Sequence, residues 1–132
     1  MITLKKSSII ILSLFLLECI WIIILNKKIY IDMYQKVQCN KSIEVGIWYV
    51  IISYLFIISL LLFHIYPILN EKENNLQNAF IYSGIIGFFV YGIYNFTNLA
   101  LLKDYSLKVG IMDTLWGTIL FTILGKIILS IK

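Results

Sequence analysis

Glu18, Asn95, Asn98 and Asp113 are the side chains of this sequence whose types and spacing could do chemistry. Each stands in a run otherwise apolar enough to lie in a bilayer. An isolated carboxylate at the centre of a membrane helix costs at least about 2.5–3.5 kcal/mol even on lenient scales, so an intramembrane acid points to function by default. Such groups must turn inward, accept hydrogen bonds or take up a proton. Tyr91, Tyr94, Asn95 and Asn98 fall on one helical stripe, and Asp113, Trp116 and Gly117 on another. The two stripes are able to face each other. Asn95 is expected opposite Asp113, with Asn98 near enough to reach the same pair of oxygens.

The elements that must position these residues follow from hydropathy. The 132 residues are 61% hydrophobic, with a mean hydropathy of +0.92, against roughly 45–50% apolar residues in soluble domains. Four apolar runs, about 7–25, 45–69, 79–102 and 109–131, are long enough to span the hydrocarbon core at ~1.5 Å per residue. The first is too long for a signal peptide, holds Glu18 and lacks a small-residue cleavage pattern. The sequence therefore predicts an all-α, multi-pass integral membrane protein: a single transmembrane domain folded as an up-and-down four-helix bundle. Between spans one and two, Ile29, Met33, Val37 and Tyr30, Tyr34 repeat at helical spacing, which suits a short interfacial helix; an unstructured loop is the alternative. The second span is closed by Pro67, where a break is harmless. Which membrane houses the chain, and in which orientation, is not encoded: the lysines divide almost evenly between the two sides.

Counting residues from the helix ends puts Glu18, Asn95 and Asp113 about 8–11 Å below one face, Asn98 about 6 Å, and Ser53 and Tyr54 about 12–14 Å. All fall in one layer. His64 falls near the other face. Small residues recur every four positions in span three, at Ala79, Ser83 and Gly87, and in span four, at Gly110, Thr114, Thr118 and Thr122, with Gly117 and Gly125 beside them. This spacing lets backbones approach closely, with threonine hydroxyls expected to add bonds between the helices.

The net charge of +4 comes from lysines alone, with no arginine. Its placement between apolar runs suits lipid headgroups, not nucleic acid. Cys19 and Cys39 lie in different environments, so neither a disulfide nor a metal site is expected, and no cofactor motif is present. Asn40-Lys41-Ser42 matches a glycosylation acceptor pattern, a weak three-residue signal.

The motifs Tyr94-Asn95-Phe96-Thr97-Asn98-Leu99-Ala100 and Asp113-Thr114-Leu115-Trp116-Gly117-Thr118, with Lys108 between them, resemble the Y-D-L-T-N-L-A and D-x-x-W-G-T signature of an uncharacterised family of small four-span membrane proteins, a domain of unknown function found in bacteria and some large DNA viruses. Glu18 and Trp21 match that family's acid and tryptophan in the first helix, and Tyr30 or Tyr34 its tyrosines beyond it. Two departures stand out. Asn95 occupies a usual aspartate position, and Tyr105-Ser106 a usual Trp-Pro. The resemblance implies fold and membrane class but no activity.

Three functions remain open on the sequence. The layer of Glu18, Trp21, Tyr91, Tyr94, Asn95, Asn98, Asp113 and Trp116 suits binding or transport of a small molecule, lipid group, proton or cation, for which a homo-oligomer is expected because four short helices make a thin pathway. A structural or assembly protein of a cellular or viral membrane needs only the packing. An intramembrane acid/base enzyme would pair Glu18 with Asp113, but no nucleophile or metal set accompanies them.

Overall fold

The computed structural model describes residues 2–39 and 41–132, so Asn40 of the acceptor pattern lies outside the described residues. The described chain is helical, with no strand. Four helices are long and apolar enough to cross a membrane: α1 (Leu4–Leu25), α3 (Ile47–Asn70), α4 (Leu76–Leu101) and α5 (Leu107–Ile131). A shorter α2 (Lys27–Val37) joins the first two. Helix is what such sequences must form in lipid, because only internal hydrogen bonds satisfy the backbone there.

Caps set the ends. The side chains of Thr3, Asn75 and Ser106 accept from the backbone N–H groups of Lys6, Asn78 and Val109, opening α1, α4 and α5. This moves the first span's start three residues ahead of the apolar run, through Lys5 and Lys6, whose long side chains reach back toward the headgroups. α3 does not stop at Pro67; it continues to Asn70. A wide, π-type turn at Leu60–Ile65 precedes the proline, which has no N–H to return to the turn before it. Two more such turns occupy Ile20–Leu25 in α1 and Phe80–Gly84 in α4. Hydropathy does not reveal them, since one extra residue per turn leaves composition unchanged.

α4 and α5 form a hairpin whose turn passes through Asp104 at φ 67, a left-handed conformation that aspartate tolerates better than most residues. Their backbones touch. A Cβ added to Gly87 would lie 2.2 Å from the Gly117 carbonyl oxygen, and one on Gly117 would lie 2.3 Å from the Tyr91 ring. The hydroxyl that crosses between these helices belongs to Ser83, which donates to the Phe121 carbonyl at 2.6 Å. The expected threonine bridges do not form. Thr114, Thr118 and Thr122 donate to carbonyls four residues back in their own helix, at 2.7, 3.1 and 2.7 Å, because a threonine hydroxyl reaches the preceding turn more easily than a neighbouring helix.

The bundle is tight at one end and open at the other. Ile10 and Leu14 of α1, Leu61, Ile65 and Leu69 of α3, and Leu120, Leu124 and Ile128 of α5 form a fully buried core toward the chain termini. At the opposite end the Ile47–Ser59 half of α3 contributes no buried residue. α2 packs there through Tyr30 and Met33, which meet Tyr105 of the α4–α5 turn and Val109 at the start of α5. The residues for which the sequence allows a short interfacial helix or an unstructured loop thus do form a helix, and its aromatic side rests on the end of the bundle.

Candidate functional site

Asp113 is held at both oxygens. Tyr30 donates its hydroxyl to Oδ1 at 2.5 Å, and Asn95 donates its amide to Oδ2 at 2.8 Å. Behind each donor stands another. The Trp21 indole N–H donates to the Tyr30 hydroxyl at 2.9 Å, and the Tyr105 hydroxyl donates to the Asn95 amide oxygen at 2.8 Å. One hydrogen-bonded chain therefore runs from α1 through α2, α5 and α4 to the α4–α5 turn. Asn95 is fully buried and also donates to the Tyr91 carbonyl at 2.8 Å, so its amide is oriented from both ends.

Glu18 is bound more sparsely. The Tyr91 hydroxyl donates to Oε1 at 2.5 Å, while Oε2 accepts nothing among the described residues. The Trp116 indole N–H lies near this carboxylate without forming an aligned hydrogen bond, and it is the one buried side-chain nitrogen or oxygen without a partner among the described residues. The Trp116 ring stacks on Trp21, centroids 4.4 Å apart and planes 2° from parallel. That stack links α1 to α5 between the two acids' neighbours.

Glu18 and Asp113 both line a cleft of about 640 Å³. Its remaining wall is aromatic and aliphatic: Tyr30 and Tyr34 of α2, Tyr54 and Ile57 of the loosely packed half of α3, and Tyr91 and Tyr94 of α4. Ser53 also faces it, with its hydroxyl committed to the Tyr49 carbonyl at 2.8 Å. Lys27 is the one basic residue on the wall. Outside the spans, burial and the nearby Asp113 charge raise the Tyr30 hydroxyl well above the usual tyrosine range. Burial and the neighbouring Tyr94 do the same for Tyr34, and burial pushes Tyr105 up to about 12. These three hydroxyls stay protonated and donating at ordinary pH.

Of the residues singled out in the sequence, Glu18, Trp21, Tyr91, Asn95, Asp113 and Trp116 come together in this layer. Tyr94 stands at its margin, half exposed, with its hydroxyl 3.3 Å from that of Tyr34. Asn98 does not reach the Asp113 oxygens: it borders the Tyr105 hydroxyl and its side chain makes no hydrogen bond among the described residues. From Asn95 to Asn98 the helix advances three residues, about 300°, which turns the second amide roughly 60° off the first. Tyr30 and Tyr105 are the contributors that depth counting missed, because both enter the layer from outside the spans. Their signal was the tyrosine spacing between spans one and two and the unusual Tyr105-Ser106 pair. Among the described residues no three His, Cys, Asp or Glu side chains converge as a metal site would require.

The arrangement can hold a polar group at Glu18 while an apolar body lies against the cleft's side walls. A family model described as "Predicted membrane protein (DUF2177)" matches residues 3–129. No curated protein and no solved structure matches the chain.

Proposed function

The chain belongs to the DUF2177 family of predicted membrane proteins, and we propose that it is a membrane-embedded binding protein for a small amphipathic molecule. The ligand's polar group hydrogen-bonds in the Glu18 layer and its apolar part lies in the cleft beside α3. One observation carries this reading: both intramembrane carboxylates line the same cleft of about 640 Å³, within the roughly 300–1,000 Å³ of small-molecule sites. A network serving only to lock helix register would bury both acids in closed packing. Here the adjoining half of α3 contributes no fully buried residue, and space remains next to them.

The test is to fill the cleft. Ser53→Trp places an indole in it from an exposed position on a helix segment with no fully buried residue, so folding should be little affected. Native mass spectrometry of protein released directly from membranes is expected to show a small co-purifying molecule on the wild type and none on the variant. Identical spectra for the two, with identical melting curves, would favour a purely structural protein.

A further inference from the structure

The reading above leaves the ligand's polar group open, and the two acids resolve it because they are not equivalent. Asp113 accepts one hydrogen bond at each oxygen. Glu18, only 6% exposed yet part of the cleft wall, accepts at Oε1 alone. The Tyr91 hydroxyl is the donor bonded to Glu18, and the Trp116 indole N–H, 8% exposed and without a partner among the described residues, is a second donor nearby. Glu18 thus keeps one oxygen, Oε2, with no bonded donor among the described residues, and Glu18 is part of the cleft wall.

Resting on that reading, we infer that Glu18 is the ligand-contacting acid, that Asp113 is a positioning residue, and that the ligand is a cationic amphiphile, a protonated amine on an apolar chain. An ammonium group carries donors and no acceptor. It therefore uses the vacant Oε2 without disturbing the Tyr91 bond. Two carboxylates in a cleft of low dielectric favour positive charge over neutral or negative groups. Tyr54 and Tyr91 also line the cleft, so aromatic side chains of the kind that attract cations adjoin Glu18. A long-chain acid would set a third carboxylate beside the two already present, with the exposed Lys27 as its single counter-charge. A long-chain alcohol would supply the donor without the charge.

Three probes of one chain length separate these cases: dodecylamine, dodecanol and dodecanoic acid. Each is titrated into protein in nanodiscs, following the fluorescence of Trp21 and Trp116 in a Trp48→Phe background. Dodecylamine should saturate the signal at least about tenfold more tightly than either other probe, the scale of one charge-assisted hydrogen bond. Glu18→Gln should erase that preference, bringing the amine to the level of the alcohol. Asp113→Asn should lower the melting temperature and leave most of the preference in place. Equal binding of all three probes to the wild type would overturn the inference without any variant having to fold. A larger loss of amine preference in Asp113→Asn than in Glu18→Gln would also overturn it. Ser53→Trp distinguishes the two levels. If it abolishes binding of every probe while none is preferred, the cleft stands and the cationic ligand falls; if it changes nothing, both fall.

Discussion

The Tyr105 hydroxyl donates to the Asn95 amide oxygen at 2.8 Å, so the two positions at which this chain departs from the signature it resembles are in contact. The pairing is chemically coherent. An amide accepts at one end and donates at the other, so Asn95 takes a proton donor from Tyr105 and passes its own N–H to Asp113. An aspartate there would meet the Asp113 carboxylate with a second one.

Asn95→Asp tests that coherence. Two facing carboxylates cannot both ionise without mutual repulsion, so the variant should melt below wild type at neutral pH and recover part of the difference on mild acidification in detergent. A variant whose melting temperature is independent of pH would mean that the two side chains do not face each other in solution.

Asp113 offers a graded comparison. Asp113→Leu strips acceptors from both Tyr30 and Asn95, at about 1–3 kcal/mol for each buried group left unmet. Asp113→Asn keeps one acceptor and turns its N–H₂ toward the other donor, so its cost should fall between wild type and Leu. Equal melting temperatures for the Asn variant and wild type would place only one of the two hydrogen bonds in the folded protein.

The glycines of α4 are not interchangeable. A Cβ on Gly87 would strike the Gly117 carbonyl oxygen at 2.2 Å, whereas one on Gly92 would rest at 3.5 Å from a Thr114 methyl group, an ordinary contact. Gly87→Ala should therefore destabilise by roughly 1–3 kcal/mol or more through overpacking. Gly92→Ala should be neutral or stabilising by up to about 1 kcal/mol, the helix-propensity difference. Thermal melts of the two single variants decide it, and a reversed order would contradict the α4–α5 packing.

Tyr105 should leave a signature in alkali. Its hydroxyl holds its proton more tightly folded, up to about 12, than at the ordinary value of 10.0. The folded state binds more protons in that window, so stability is full below pH 10 and falls as pH rises toward 12. Tyr30 and Tyr34 are displaced in the same direction and add to the fall. Tyr105→Phe should cost about 1 kcal/mol at neutral pH through its lost hydrogen bond and show a shallower decline above pH 10 in chemical unfolding series. An unchanged slope would mean that Tyr105 is solvated.

The four spans were legible because hydropathy over twenty residues outweighs any local signal, and the placement of Asn95 opposite Asp113 followed from equal depth in antiparallel helices. What depth could not supply was rotation and outside entry. Asn98 sits in the layer's range but on a different bearing, and its neighbour Tyr94 turns to the margin. Tyr30 belongs to a helix beyond the bilayer-length runs, so no count from a span end includes it. The loose half of α3 was illegible for another reason: in lipid an apolar helix is equally content against acyl chains or protein, and its sequence need not differ between the two.

That loose half has a thermodynamic consequence. Because Ile47–Ser59 contributes no fully buried residue, the proposed binding function implies that acyl chains complete the enclosure and that an amphiphile reaches Glu18 sideways from the leaflet without first dissolving in water. Its chemical potential is then set by mole fraction in that leaflet. Doubling the lipid at a fixed total amount of amphiphile should halve occupancy in the weak-binding limit, while doubling the aqueous volume should leave it unchanged for any compound that partitions almost wholly into the bilayer.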